Sequence, residues 1–99
     1  MSAYIIARAE VFDAEGMQIY RNQVPAVIAQ YGGRFLVRGP SKVLEGDDDG
    51  RHTVVIEFPD MERANAFWNG PEYSELRSLR QNYSNVIAVS AEEYIAPAE

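Results

Sequence analysis

Three ionisable residues stand inside strand-like stretches rich in apolar residues. Arg8 falls in YIIARAEV, Arg38 ends RFLVR, and Glu57 sits in VVIEF. A charge taken out of water costs several kcal/mol unless it is paired, so a carboxylate within VVIEF calls for a partner. Arginine suits that part, because its planar fork grips a carboxylate or an enolate by two parallel hydrogen bonds. If the three strands are neighbours, Glu57 lies between Arg8 and Arg38 on one sheet face. Such a cluster either lines a ligand pocket or forms a structural ion pair whose charges reach water at the sheet rim.

A second group gathers near the end of the chain. Tyr73, Leu76 and Arg80 recur at helical spacing, with Trp68 and Arg77 close by. One reading is an aromatic lid with a basic residue closing a pocket. The other is core packing by Phe67, Trp68, Leu76 and Leu79, with the arginines bonded to nearby carboxylates or carbonyls. The expected pocket set is therefore Arg8, Arg38, Glu57, Trp68, Tyr73 and Arg80, with no catalytic role assigned to any of them.

Other candidates carry less chemistry. Glu45-Gly46-Asp47-Asp48-Asp49-Gly50 can be laid on a calcium loop with Gly50 at the sixth position, but the twelfth is then Ile56 rather than a bidentate glutamate. A solvated hairpin turn is expected instead. His52 is the only histidine and lacks neighbours of the kind a metal site or a general base requires. Gly32-Gly33 follows a helix, so it reads as a helix cap and not as a phosphate loop. No metal and no cofactor are expected.

The elements that must position these residues follow from periodicity. Ala3–Val11 alternates as a strand, with Ile5, Ala7, Ala9 and Val11 on one face and Tyr4, Ile6, Arg8 and Glu10 on the other. Asp13 is read as the N-cap of a helix carrying Met17, Tyr20, Val24, Val27, Ile28 and Tyr31, with a kink expected near Pro25. Residues 34–38 form a second strand, broken at Gly39-Pro40, with a bent or bulged continuation expected over 42–45. His52–Phe58 is a third strand. Asp60 caps a helix that ends near Asn69, Gly70-Pro71 starts another, and 85–91 is the last strand, followed by a fraying tail. The order β-α-β-β-α-β is the ferredoxin-like α+β plan: a four-stranded antiparallel sheet in spatial order 4-1-3-2, with helices on one face.

Composition bounds the rest. Ninety-nine residues make one domain, 1–99, of ordinary globular composition. There is no cysteine, hence no disulfide, thiol nucleophile or cysteine-held metal, and a reducing cytoplasm is expected. No stretch reaches the ~20 apolar residues of a membrane helix. A net charge of −6 with dispersed basic residues opposes nucleic-acid binding. VVIEF and VIAV are nearly continuous in apolar character, whereas a sheet with one wet face alternates. The second face then needs cover, and a homodimer packed sheet to sheet provides it.

The run Tyr31-Gly32-Gly33-Arg34-Phe35-Leu36-Val37-Arg38-Gly39 is followed by Leu44-Glu45-Gly46, Val55-Ile56-Glu57-Phe58-Pro59, Ala66-Phe67-Trp68-Asn69 and Pro71-Glu72-Tyr73. Over nearly the whole chain this series resembles an uncharacterised bacterial family, a domain of unknown function in the dimeric α/β-barrel superfamily. The resemblance implies a ferredoxin-like protomer and a dimer built by sheet packing, and it implies no reaction. Cofactor-free monooxygenases, isomerases and haem-dependent enzymes are distant relatives. Their chemistry does not carry over, and His52 is not in a motif comparable to the haem ligand's.

The expectation is thus a cytoplasmic homodimer with a small-molecule pocket between sheet and helices, working without cofactor on a small oxygenated compound. The alternative is a non-enzymatic dimeric binding or interaction module whose charges only hold the fold.

Overall fold

A computed structural model describes residues 1–98. The chain runs β1 (Ala3–Val11), α1 (Gln18–Gln30), β2 (Arg34–Pro40), β3 (His52–Phe58), α2 (Met61–Asn69), α3 (Pro71–Arg80) and β4 (Ser84–Glu92). The four strands form one antiparallel sheet in the order β2-β3-β1-β4, the ferredoxin-like arrangement. Among the described residues, no helix is long and apolar enough to cross a membrane.

Local chemistry explains most boundaries. The Asp60 carboxylate accepts from the Arg63 amide at 2.8 Å and caps α2. Gly70 then takes an extended conformation and Pro71 opens α3, as the Gly-Pro pair predicts. Gly32, at φ 80°, adopts the left-handed conformation after α1. Two expectations are corrected at these boundaries. Asp13 does not cap α1: its carboxylate accepts from the Gly16 amide at 2.9 Å and closes a separate turn, and the helix begins one turn later, after Met17. The tail is tied at its start, since Glu93 donates its amide to the Ser2 carbonyl at 2.9 Å.

The second strand departs most from expectation. It continues through Gly39 and Pro40, which pair with Thr53 and His52, while 42–45 lies outside any strand. β2 is a sheet edge, where proline's missing amide costs no ladder bond. The register shifts between Phe35 and Val37. That irregularity turns the following residues over, so that Arg38 pairs with Val54 and faces the same way as Phe35, opposite Ile56.

The core lies between the helices and one sheet face. Ala3, Ile5, Ile56 and Phe58 from the sheet meet Val24, Ile28, Phe67 and Leu76 from the helices, all buried. The other sheet face has no helix over it. There the register aligns Val37, Val55, Ile6 and Val89 in a row across all four strands. Val37 is 45% exposed and Val89 55%.

Candidate functional site

A cavity of about 330 Å³ lies between the helices and the inner sheet face. Its cause is visible along β1. Ala7 and Ala9 occupy inward positions of this central strand, where larger residues would fill the layer beneath α1. The floor is completed by Val54 and Ile56, and the helices supply Tyr20, Val24, Ile28, Phe67, Trp68 and Tyr73. Its volume falls within the range of metabolite pockets, about 300–1,000 Å³.

The cavity has two ends of different chemistry. Ile5, Ile28, Ile56 and Phe67 are buried and make one end apolar. Arg38 and His52 are exposed at the other, where β1 finishes and β3 begins, and mark the mouth. Arg21 and Arg80 also line the cavity. Arg80 closes α3 just before β4 starts opposite Val11, so it belongs to the mouth end as well. Among the described residues, no aspartate or glutamate lines the cavity, although the chain carries 15 of them.

Arg80 is the most unusual of these groups. It is only 6% exposed, its Nε is buried without a hydrogen-bond partner, and no ion pair reaches it among the described residues. Burying an uncompensated guanidinium costs several kcal/mol. The carbonyl end of α3 favours a cation by about 0.3–1 kcal/mol, which leaves most of that cost standing.

Beside Arg80 lies a tyrosine pair. The hydroxyls of Tyr20 on α1 and Tyr73 on α3 are 3.0 Å apart, with their rings edge to face at 6.3 Å. Burial first, then the neighbouring Tyr73, raises the Tyr20 pKa well above the ordinary phenol value; Arg80 and Arg38 oppose that shift. Tyr20 therefore stays protonated at any working pH. One hydroxyl hydrogen is spent on the partner and the other is left to donate.

The sequence-expected site residues separate into two sets. Arg38, Trp68, Tyr73 and Arg80 line the cavity. Arg8 and Glu57 do not: they point to the opposite sheet face, where Arg8 is opposite Thr53 and Glu57 opposite Tyr4 and Arg34. The expected placement of Glu57 between Arg8 and Arg38 is thus corrected. Glu57 accepts from Arg34 Nε at 2.9 Å, and this hydrogen bond chiefly lowers its pKa. Arg8 pairs with Asp49 at 2.8 Å, and Arg38 lies over the Phe35 ring at 4.6 Å. Two features are the physical reason: the β2 irregularity carries Arg38 to the helix side, and the β1–β3 register sets Arg8 opposite Thr53, four residues along β3 from Glu57.

In the acidic turn, Asp48 and Asp49 accept from the Gly50 and Arg51 amides at 3.0 Å each. Asp49 also reaches back to Arg8, which draws the turn onto the sheet. Arg77 leaves the cavity and lies over Trp68, 5.2 Å from the ring centroid. Sequence reasoning passed over three lining residues. The spacing places Tyr20 on the apolar face of α1, Arg21 belongs to no motif, and His52 is a lone histidine at a strand start. The available signal was the alanines of β1, since small residues on a central strand leave room above them.

The fold and cavity define a ferredoxin-like α+β protein with helices over one sheet face and a pocket between the layers. The chain belongs to the family described as Domain of unknown function (DUF1330), whose model matches residues 2–94. Solved structures share the fold. A protein of unknown function from Rhodopseudomonas palustris is 16% identical, with a TM-score of 0.76 over 96% of this chain and 84% of that one. SnoaB, a cofactor-independent oxygenase from Streptomyces nogalater, is 14% identical, with a TM-score of 0.69 over 99% and 98%. A dimeric ferredoxin-like protein of unknown function from Jannaschia sp. CCS1 is 14% identical, with a TM-score of 0.63 over 94% and 100%. At these identities the likeness concerns the fold. A comparison with curated proteins found no match.

Proposed function

We propose that the protein is a homodimer that binds a small oxygenated compound in the cavity of each protomer and transforms it without a cofactor. The observation that carries this reading is the cavity itself: about 330 Å³, apolar at one end and lined by arginines and tyrosine hydroxyls at the other. The cofactor-independent oxygenase SnoaB, on the same fold, supports cofactor-free chemistry as the reaction class. The apolar row Val37-Val55-Ile6-Val89 supports association through the outer sheet face, as does the dimeric Jannaschia neighbour. The cysteine-free composition and the family resemblance support the bacterial cytoplasm as the setting, and the net charge of −6 argues against a nucleic-acid partner.

A second reading is binding without turnover. It is favoured by the shortage of bases: among the described residues no carboxylate lines the cavity, and Tyr20 is held protonated, which leaves His52 as the side chain suited to general-base work. Substituting His52→Gln separates the two, since it stops turnover on the first reading and changes nothing but the mouth on the second.

The cavity is tested by a thermal-shift screen of metabolites against the native protein and Ala7→Leu. A ligand at 100 times its Kd stabilises by about 2.7 kcal/mol. Ala7→Leu fills the cavity floor, so it retains the fold and loses the shift. Shifts of equal size in both proteins refute the cavity as the binding site.

A further inference from the structure

We infer that the cavity takes an organic acid, held lengthwise, with its carboxylate against Arg80 and Arg38 at the mouth end and a ring-bearing apolar body toward Phe67 and Trp68. This rests on the cavity being the binding site and adds the class of ligand.

The first argument is the separation of charge. A chain of net charge −6 places three arginines and, among the described residues, no carboxylate side chain around one cavity. A ligand cation would meet like charge there, and a neutral ligand would leave the buried Arg80 uncompensated. The second argument is Arg80, a guanidinium 6% exposed that has no acid partner among the described residues and whose buried Nε makes no hydrogen bond. A buried cation without a counterion is costly to the empty protein and repays that cost when an anion arrives.

Donor counting narrows the anion. The mouth end offers the Arg38 fork, the Arg80 Nε–H and one free tyrosine O–H. Together they are more donors than one acceptor atom can satisfy. A carboxylate has two oxygens and about four lone-pair directions, enough to receive a guanidinium, a second N–H and a hydroxyl together. The far end is set by rings: Phe67 and Trp68 lie 4.5 and 5.1 Å from Tyr73, a wall that favours a flat apolar body.

The test uses 2-naphthoate and its neutral isostere 2-naphthamide, titrated by calorimetry at pH 7 against the native protein. Trp68 is the only tryptophan, so its indole N–H gives a single NMR resonance that reports from the cavity wall. The expected result is that naphthoate binds at least tenfold more tightly than naphthamide and moves that resonance. Arg80→Gln abolishes the preference, Arg80→Lys restores part of it, and Arg38→Gln, at an exposed position, weakens it with the fold retained. Because Arg80 is uncompensated in the empty protein, Arg80→Met raises the melting temperature without ligand. Equal affinities for acid and amide, or a preference that survives Arg80→Gln, overturn the inference and leave the cavity reading standing. A lowered melting temperature for Arg80→Met marks Arg80 as structural and removes it as the anchor. If neither probe moves the Trp68 resonance, the cavity reading falls and the inference with it.

Discussion

Tyr20 and Tyr73 share a hydrogen bond, 3.0 Å between hydroxyl oxygens, that ties α1 to α3 across the cavity. Each hydroxyl is the other's protein partner, and both rings belong to the wall. The pair therefore joins stability to the site. A net hydrogen bond contributes about 0.5–1.5 kcal/mol, so Tyr20→Phe and Tyr73→Phe should each destabilise by about 1 kcal/mol. The double variant should cost little more than either single, because the bond is lost once. Urea denaturation of the four proteins measures this cycle, and additive losses would separate the two hydroxyls.

The same pair shows where sequence reasoning stops. Tyr20 falls at helical spacing with Met17 and Val24, and that spacing predicted its burial. Periodicity reports the face a residue occupies and says nothing of what is missing opposite it. The void came from Ala7 and Ala9, legible only as a strand face until α1 was set above them. Element order, the Gly70-Pro71 break and the strand order were legible, because they rest on local signals and one well-known plan. The irregularity between Phe35 and Val37 had no local signal. Its one-residue shift exchanged the sides of the sheet for the residues after it, and so moved Arg38 off the face that carries Glu57.

Glu57 is consequently a source of pH dependence rather than a ligand group. Hydrogen bonds from Arg34 to Glu57 and from Tyr31 to Glu72 lower both pKa values, and the Arg51 amide with the Arg8 and Arg51 charges lowers that of Asp49. A depressed folded pKa contributes stability that is complete above the unfolded value and is lost as pH falls through the folded one. Stability should therefore decline as pH drops below about 4.5, the ordinary value for the two glutamates. Tyr20 and Tyr31 are shifted the other way, Tyr20 chiefly by burial and Tyr31 chiefly by its bond to Glu72. Their contribution is complete below the ordinary phenol value of 10.0 and is lost as pH rises above it. Melting temperatures from pH 3 to 11 should trace both limbs. Glu57→Gln should flatten the acid limb alone, and Tyr31→Phe should flatten part of the alkaline limb. An unchanged acid limb in Glu57→Gln would sink the assignment.

The outer sheet face supplies the last prediction. Val37, Val55, Ile6 and Val89 stand in one cross-strand row, and Ile87, opposite Arg8, extends it at 63% exposure. At about 25 cal/mol per Å² of apolar area, covering such a row in two protomers is a sufficient drive for association. The row is bounded by the Arg34–Glu57 and Arg8–Asp49 pairs, charges that stay wet at a rim while the centre dries. Light scattering at micromolar concentration should give twice the chain mass of 11.1 kDa. Val37→Glu with Val89→Glu places like charges on the row and should return the single-chain mass. Both positions are exposed in the protomer, so the circular dichroism spectrum should not change. A native protein that scatters as one chain removes the outer face as a dimer interface, and a double variant that remains dimeric moves the interface elsewhere.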